Sequence, residues 1–264
     1  MISFINRLKS AVDRKKSWLC VGLDISSEMM RSENLNDLKS HSRKVIDATR
    51  DVAVAYKPNF AFFERWGSAG FRWLEETLDY IGSNHICIAD AKRGDIGNTA
   101  KQYAKSIFAH FGFDAVTLNP YMGEDSINPF LENPEKGVFI LCKTSNPSSV
   151  DFQNLLSDGR PLYERVATWA NSLNENCNVG LVIGATAKNE LKNIRKLVPE
   201  LPLLIPGVGA QGGDLKYSLK LGNQSGVALL SISRGICFVN DMSEKEIFNS
   251  AHSYVEKMNK IFNE

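Results

Sequence analysis

The chain has 264 residues and a formal net charge of +1, with 43% hydrophobic and 23% charged residues. That length fits one large domain, and single α/β barrels commonly run to about 250 residues. The balanced charge provides no overall basic field for nucleic acid or an anionic membrane, and no apolar run approaches the roughly 20 residues that span a bilayer, so any anion site must be local.

In chain order, Met1–Lys16 reads as an N-terminal amphipathic helix with Phe4, Ile5, Leu8 and Val12 on one face. It lacks the uninterrupted apolar stretch and small-residue cleavage site of a signal peptide. Apolar runs then alternate with amphipathic stretches. The pattern predicts a strand at Trp18–Leu23, a helix at Leu35–Arg50, a strand at Ala53–Lys57 and a helix at Ser68–Ile81. It continues with a strand at Ile86–Asp90, a helix at Asn98–His110, and strands at Ala115–Leu118 and Val138–Leu141. A helix at Leu162–Glu175, a strand at Val179–Ile183, a helix at Ala187–Leu197 and a strand at Leu203–Ile205 follow. The series ends with a helix at Leu215–Leu221, a strand at Val227–Ser231 and a helix at Ser243–Ile261.

Near-continuous apolar strands are those of a parallel sheet covered on both faces. Strands alternating with helices in this way predict an α/β fold, a closed (β/α)8 TIM barrel; a doubly wound open sheet is the alternative that periodicity leaves open. No Gly/Ser linker or charge block divides the chain, so residues 1–264 read as a single domain. The polar segment Thr144–Gly159 reads as a loop over the barrel mouth. Cys20, Cys87, Cys142, Cys177 and Cys237 are widely spaced with no C-x-x-C, which predicts free thiols in a reducing cytoplasm and no zinc site. The four histidines show neither metal spacing nor a triad context, and the tryptophans read as packing residues.

In such barrels the reacting groups stand where strands end. The first predicted strand ends at Asp24, the second at Lys57-Pro58-Asn59, and the third runs Asp90-Ala91-Lys92-Arg93-Gly94-Asp95. Asp90 and Lys92 are two apart, so on a regular strand both face one way. With Lys57 from the adjacent strand they form a series of alternating sign, either a structural ion-pair cluster or a reactive one. Asp95 and Thr99 are four apart near a helix start and share a face; Asp95 reads either as the N-cap or as a functional carboxylate. The seventh strand opens into Pro206-Gly207-Val208-Gly209-Ala210-Gln211-Gly212-Gly213, and the eighth ends Ser233-Arg234-Gly235. Glycine loops and helix N-termini admit an anion closely, and Arg234 and Gln211 supply donors, which points to phosphate; a loop needing positive φ is the structural alternative.

The run Asp90-Ala-Lys92-Arg-Gly-Asp95-Ile96, with Thr99 after it, resembles the D-x-K-x-x-D-I…T signature of the orotidine 5′-phosphate decarboxylases, and its extended form looks like the longer bacterial branch. Gly22-Leu23-Asp24, Lys57-Pro58-Asn59, Ser145-Asn146-Pro147, Pro206–Gln211 and Ser233-Arg234-Gly235 follow that family's order from Trp18 to about Ile236. The resemblance implies decarboxylation of orotidine 5′-phosphate to uridine 5′-phosphate with no cofactor and no metal. It implies catalytic roles for Lys57, Asp90, Lys92 and Asp95, with Lys92 the proton donor. Asp24, Lys57 and Thr99 would hold the ribose, Ser145 the pyrimidine, and Gln211, Arg234 and Gly235 the phosphate. It further implies a cytoplasmic homodimer in which Asp95 and Thr99 reach into the partner's site.

A related barrel decarboxylase acting on 3-keto-L-gulonate 6-phosphate shares the D-x-K-x-x-D core but uses Mg2+, which needs an acid at the second strand end where Lys57 stands here. A non-catalytic nucleotide-binding barrel would not need Lys92 or Asp95. An aldolase or epimerase barrel would suit a lone Schiff-base lysine or facing carboxylates better.

Overall fold

A computed structural model describes residues 2–209 and 212–264. Eight parallel strands close into a barrel: β1 Leu19–Leu23, β2 Ala55–Pro58, β3 Ile86–Arg93, β4 Ala115–Leu118, β5 Gly137–Lys143, β6 Val179–Ile183, β7 Leu203–Pro206 and β8 Ala228–Ile232. Ring closure is made by β1 against β8, with Leu19 opposite Leu230 and Val21 opposite Ile232. Closure decides against the open-sheet alternative, and it removes both sheet edges.

The long helices wrap the ring at Leu35–Thr49, Gly67–Ile81, Gly97–Lys105, Leu162–Ser172, Lys188–Leu197, Leu215–Gly222 and Glu244–Asn263. Short polar caps set their starts. Asn34, Asp214 and Ser243 each accept a hydrogen bond from a backbone N–H in the first turn that follows. The stretch expected as one helix to His110 ends as α-helix at Lys105 and continues as a π-turn over Ser106–His110. The N-terminal helix is Phe4–Lys15, shorter than Met1–Lys16. Short helices at Ser27–Met30, Phe60–Glu64 and Arg234–Cys237, and a two-stranded ribbon of Leu156–Ser157 with Arg160–Pro161, carry too few residues for a periodic signal.

The two ends of the barrel differ in chemistry. At the end where strands begin, the fully buried Phe4 stands edge-on to Phe139, ring centroids 5.9 Å apart. A Cβ on Gly137 would overlap the Phe4 ring, so glycine there is what admits the plug. Arg195 is buried with no carboxylate partner among the described residues, but its guanidinium donates to the carbonyls of Val198, Pro199, Leu201 and Gly222. It satisfies groups left over at two helix C-termini, a structural use of a buried cation. Polar residues gather at the other end.

Candidate active site

β3 does not end at Asp90. It runs on to Arg93, which pairs with Leu118, and the register slips between Ala89 and Arg93. The slip is a bulge at Lys92, whose φ of +46° lies in the left-handed region. That conformation costs a non-glycine residue about 1 kcal/mol or more and needs local support. Thr117 on β4 supplies it: its hydroxyl oxygen accepts from Ala91 N at 3.1 Å and Lys92 N at 3.0 Å. Strand alternation alone therefore does not bring Asp90 and Lys92 together; the bulge and its threonine do. Thr117 gave little sign of this in the sequence, where it is one polar residue inside an apolar strand, and that exception was the available signal.

Around this bulge the charges meet. Lys57 Nζ donates to Asp90 Oδ2 at 2.6 Å, and Lys92 Nζ donates to Asp90 Oδ1 at 2.5 Å. Thr117 Oγ1 lies 3.2 Å from the same Oδ1. The side chains of Lys57 and Asp90 are 6% and 11% exposed, but that of Lys92 is 50% exposed, so the series opens outward at Lys92. Burial alone would lift the Asp90 pKa, but Lys57 and then Lys92 outweigh it and hold the carboxyl well below its usual range. Burial alone would lower Lys57, but Asp90 and then Asp24 outweigh it, and the net shift is upward. Burial pushes the adjacent Cys20 thiol up to about 12, which leaves it neutral beside the pair.

Lys57 and Asp24 also line a cavity of about 540 Å3 whose far wall is Gly207, Ser233, Arg234 and Gly235. Asp24 Oδ1 is buried and has no hydrogen-bond partner among the described residues. An acceptor so placed suits a hydroxyl donor. Arg234 is exposed at the start of its short helix. Gly207 and Gly209 both have positive φ, +94° and +78°, and a Cβ on Gly213 would lie 2.6 Å from Gly207 O. The turn is closed by Gly213 N donating to Gly207 O. Gln211 lies outside the described residues.

Ser145 follows β5 and packs on β6: a Cβ on Gly184 would sit 2.8 Å from both Ser145 N and Cβ. Asp95 and Thr99 do not share a helix face. The helix begins at Gly97, where φ is +55°, and Ile96 holds the N-cap position without a side-chain cap. Asp95 stands on the preceding loop, and among the described residues its carboxylate accepts only from the adjacent Ile96 N, 2.8 Å, so it is not the N-cap. Among the described residues it forms no ion pair. Asn59 caps the helix Phe60–Glu64 through Ala61 N and bridges to Asp90 through the backbone. Tyr121 is 85% exposed. Arg93 also carried no signal in the sequence; it pairs with Glu64 at 2.8 Å and lies over the rings of Phe60 and Tyr103. Four cysteines are buried, Cys177 is exposed and all five are free. Among the described residues no group of three or more His, Cys, Asp or Glu stands together as a metal site.

The ion pair sets a pH signature. The lowered Asp90 pKa contributes stability above the unfolded carboxyl value of about 3.9, lost only as pH falls through the lower folded value. The raised Lys57 pKa contributes below the unfolded value of about 10.4, lost as pH rises through the higher folded one. Between those limits the cluster's contribution is flat. Asp90→Asn removes the main counter-charge and leaves a buried ammonium, a loss of about 3 kcal/mol at neutral pH. In that variant burial depresses Lys57, so its stability recovers as pH rises towards about 10. Denaturant melts of both proteins from pH 6 to 10 check this; a gap that stays constant with pH refutes it.

A charged series at the third strand end, an orphaned acid at the first and a glycine turn beside an arginine at the seventh and eighth form a distinctive set on one barrel rim. Residues 17–245 match the model of the "Orotidine 5'-phosphate decarboxylase / HUMPS family". The chain is 47% identical over 249 residues to the orotidine 5′-phosphate decarboxylase of Dehalococcoides mccartyi, covering 92% of each chain. It superposes on Leishmania donovani OMP decarboxylase with a TM-score of 0.88 at 39% identity, covering 100% of both. Against Leishmania donovani UMP synthase the TM-score is 0.90 at 42% identity, covering 99% of this chain but 57% of that one. Sequence over nearly the whole length and backbone agree with the rim chemistry: this chain belongs to the orotidine 5′-phosphate decarboxylase family.

Proposed function

We propose that this protein is a carboxy-lyase that converts orotidine 5′-phosphate to uridine 5′-phosphate and CO2 in pyrimidine nucleotide biosynthesis, using its own side chains in place of a metal or cofactor. The observation that carries the reading is the Lys57–Asp90–Lys92 series, whose inner member Lys57 lines the cavity. Loss of CO2 from the pyrimidine C6 leaves an electron pair in the ring plane, outside the π system. Such charge must be stabilised through space by a fixed cation. Lys92 has the required properties, since Asp90 orients its ammonium and the side chain is open enough to meet a ligand. It stabilises the developing carbanion and then delivers a proton to C6 in place of the carboxylate. Asp90 sits beside the departing carboxylate and fixes both lysines. The Mg2+-dependent sugar-phosphate reading is disfavoured by Lys57, a buried ammonium where an acidic metal ligand would have to stand.

The remaining roles follow the cavity. Asp24 and Lys57 bind ribose hydroxyls, Ser145 the pyrimidine, and Arg234, Gly235 and Gln211 the phosphate. Phosphate binding far from C6 supplies energy for assembling a dry site. Asp95 and Thr99 act in the site of a second copy in a cytoplasmic homodimer. Two observations support this: Asp95 has no ion pair within its own chain among the described residues, and Ile96 beside it and Tyr121 and Met122 on the segment after β4 are 50%, 85% and 45% exposed. Apolar exposure of that kind marks contact surfaces. No helix among the described residues is long and apolar enough to cross a membrane.

Turnover is followed by the fall in ultraviolet absorbance on adding orotidine 5′-phosphate in the presence of EDTA; an inert protein there, rescued by Mg2+, overturns the reading. Lys92→Ala should lose nearly all turnover while retaining uridine 5′-phosphate binding, and near-normal kcat refutes the proton-donor role. Arg234→Ala should raise KM by about 100-fold, as expected for losing a bidentate phosphate contact of roughly 3 kcal/mol; an unchanged KM removes Arg234 from the phosphate site. Mixing inactive Lys92→Ala and Asp95→Asn chains should restore about a quarter of the native activity, since a random hybrid dimer holds one intact site of two. No recovery after subunit exchange, with both parents dimeric, places Asp95 within its own chain's site.

A further inference from the structure

One buried cation is used neither by the charge series nor by the fold. Lys143, the last residue of β5, is only 4% exposed, and among the described residues no carboxylate lies within ion-pair distance. Its ammonium instead donates to Ser149 Oγ at 2.9 Å and to Asn154 Oδ1 at 3.0 Å. Both acceptors belong to the segment that follows β5. Gln153 adds a second clasp: its Oε1 accepts from Thr144 N at 2.9 Å, and its Nε2 donates to Thr144 Oγ1 at 2.8 Å. Residues 144 to 154 are thus tied back on themselves at both ends. Ser145, at the start of the segment, is pressed against Gly184.

We infer that Lys143 is a positioning residue for substrate recognition: it clamps the loop after β5 so that Ser145 is held at the height of the pyrimidine ring. The inference rests on the reading of Ser145 as the pyrimidine contact. Burying an ammonium against two neutral oxygens is costly, and an apolar side chain would fill the strand end more cheaply. A charge-assisted pair of bonds, however, fixes a loop in a way that apolar contact, which has no direction, does not. The clamp reaches only the loop that reads the base. The phosphate wall at Gly207 and Arg234 is built on other strands. Loss of the clamp therefore weakens ligands that carry a pyrimidine and spares those that carry only sugar and phosphate.

The test compares inhibition by uridine 5′-phosphate and by ribose 5-phosphate in Lys143→Met, Asn154→Ala, Ser145→Ala and the Lys143→Met/Ser145→Ala pair. Lys143→Met should raise Ki for uridine 5′-phosphate by about tenfold, leave Ki for ribose 5-phosphate within about twofold, and add little to Ser145→Ala. Asn154→Ala, an exposed substitution that keeps the fold should Lys143→Met fail to, should show the same selectivity at a smaller size. Equal weakening of both inhibitors, or unchanged uridine 5′-phosphate binding in the clamp variants while Ser145→Ala binds poorly, overturns the clamp. Ordinary uridine 5′-phosphate binding in Ser145→Ala overturns the reading of Ser145 and leaves selective weakening in Asn154→Ala as the sign that the loop reads the base through another residue.

Discussion

Asp90 is the constraint on which the rim depends. A single carboxylate has both oxygens engaged by ammoniums from two strands, and the buried Lys57 is not tolerable in its place without it. Lys57 is buried, so its charge is stable only while Asp90 is ionised; Asp90 is ionised only because two cations face it. The arrangement is mutually dependent in the way that buried ionic networks are, with the removal of any member worse than the absence of all. It also fixes the direction in which the series can extend. The inner lysine is buried at the cavity floor with Asp24 near it, the outer one is half-exposed, and the next carboxylate can be added beyond Lys92.

That geometry required a departure from regular backbone. Had β3 continued as an ideal strand, Lys92 would have kept a β conformation; its left-handed φ and the hydroxyl of Thr117 re-aim it. Bulges serve this purpose at sheet rims generally. Arg93, held by Glu64 and by the faces of Phe60 and Tyr103, anchors the chain directly after the bulge, so the strained residue lies between two fixed neighbours. The strain is local and small, and the closed apolar barrel beneath, plugged by Phe4, supplies the rigid frame that holds it.

The architecture was legible because apolar runs of strand length recur between amphipathic stretches, and the charged residues stood out because each interrupts such a run at its end. What sequence withheld was what depends on backbone geometry outside regular elements and on the partners it brings together. Thr117, Lys143 and Arg93 gain meaning only from partners 25 or more, 6 to 11, and 29 residues away respectively. The expected helical pairing of Asp95 with Thr99 failed for the same reason: spacing predicts a shared face only inside a helix, and Gly97 begins the helix after Asp95. Strand ends erred by one to three residues because hydrophobicity fades gradually while a hydrogen-bond ladder stops abruptly.

The two lysines at strand ends β2 and β5 show how burial separates chemistry from architecture. Lys57 is paired with a carboxylate that a second ammonium shares, so its charge belongs to a series that opens onto a cavity. Lys143 is equally buried but meets only neutral oxygens of one loop, so its charge ends there. Arg195, a third buried cation, meets only backbone carbonyls at helix ends. Burial alone would place all three in one class. The partner decides: an acid shared with an exposed cation points to chemistry, side chains of one loop point to positioning, and orphan carbonyls point to the fold.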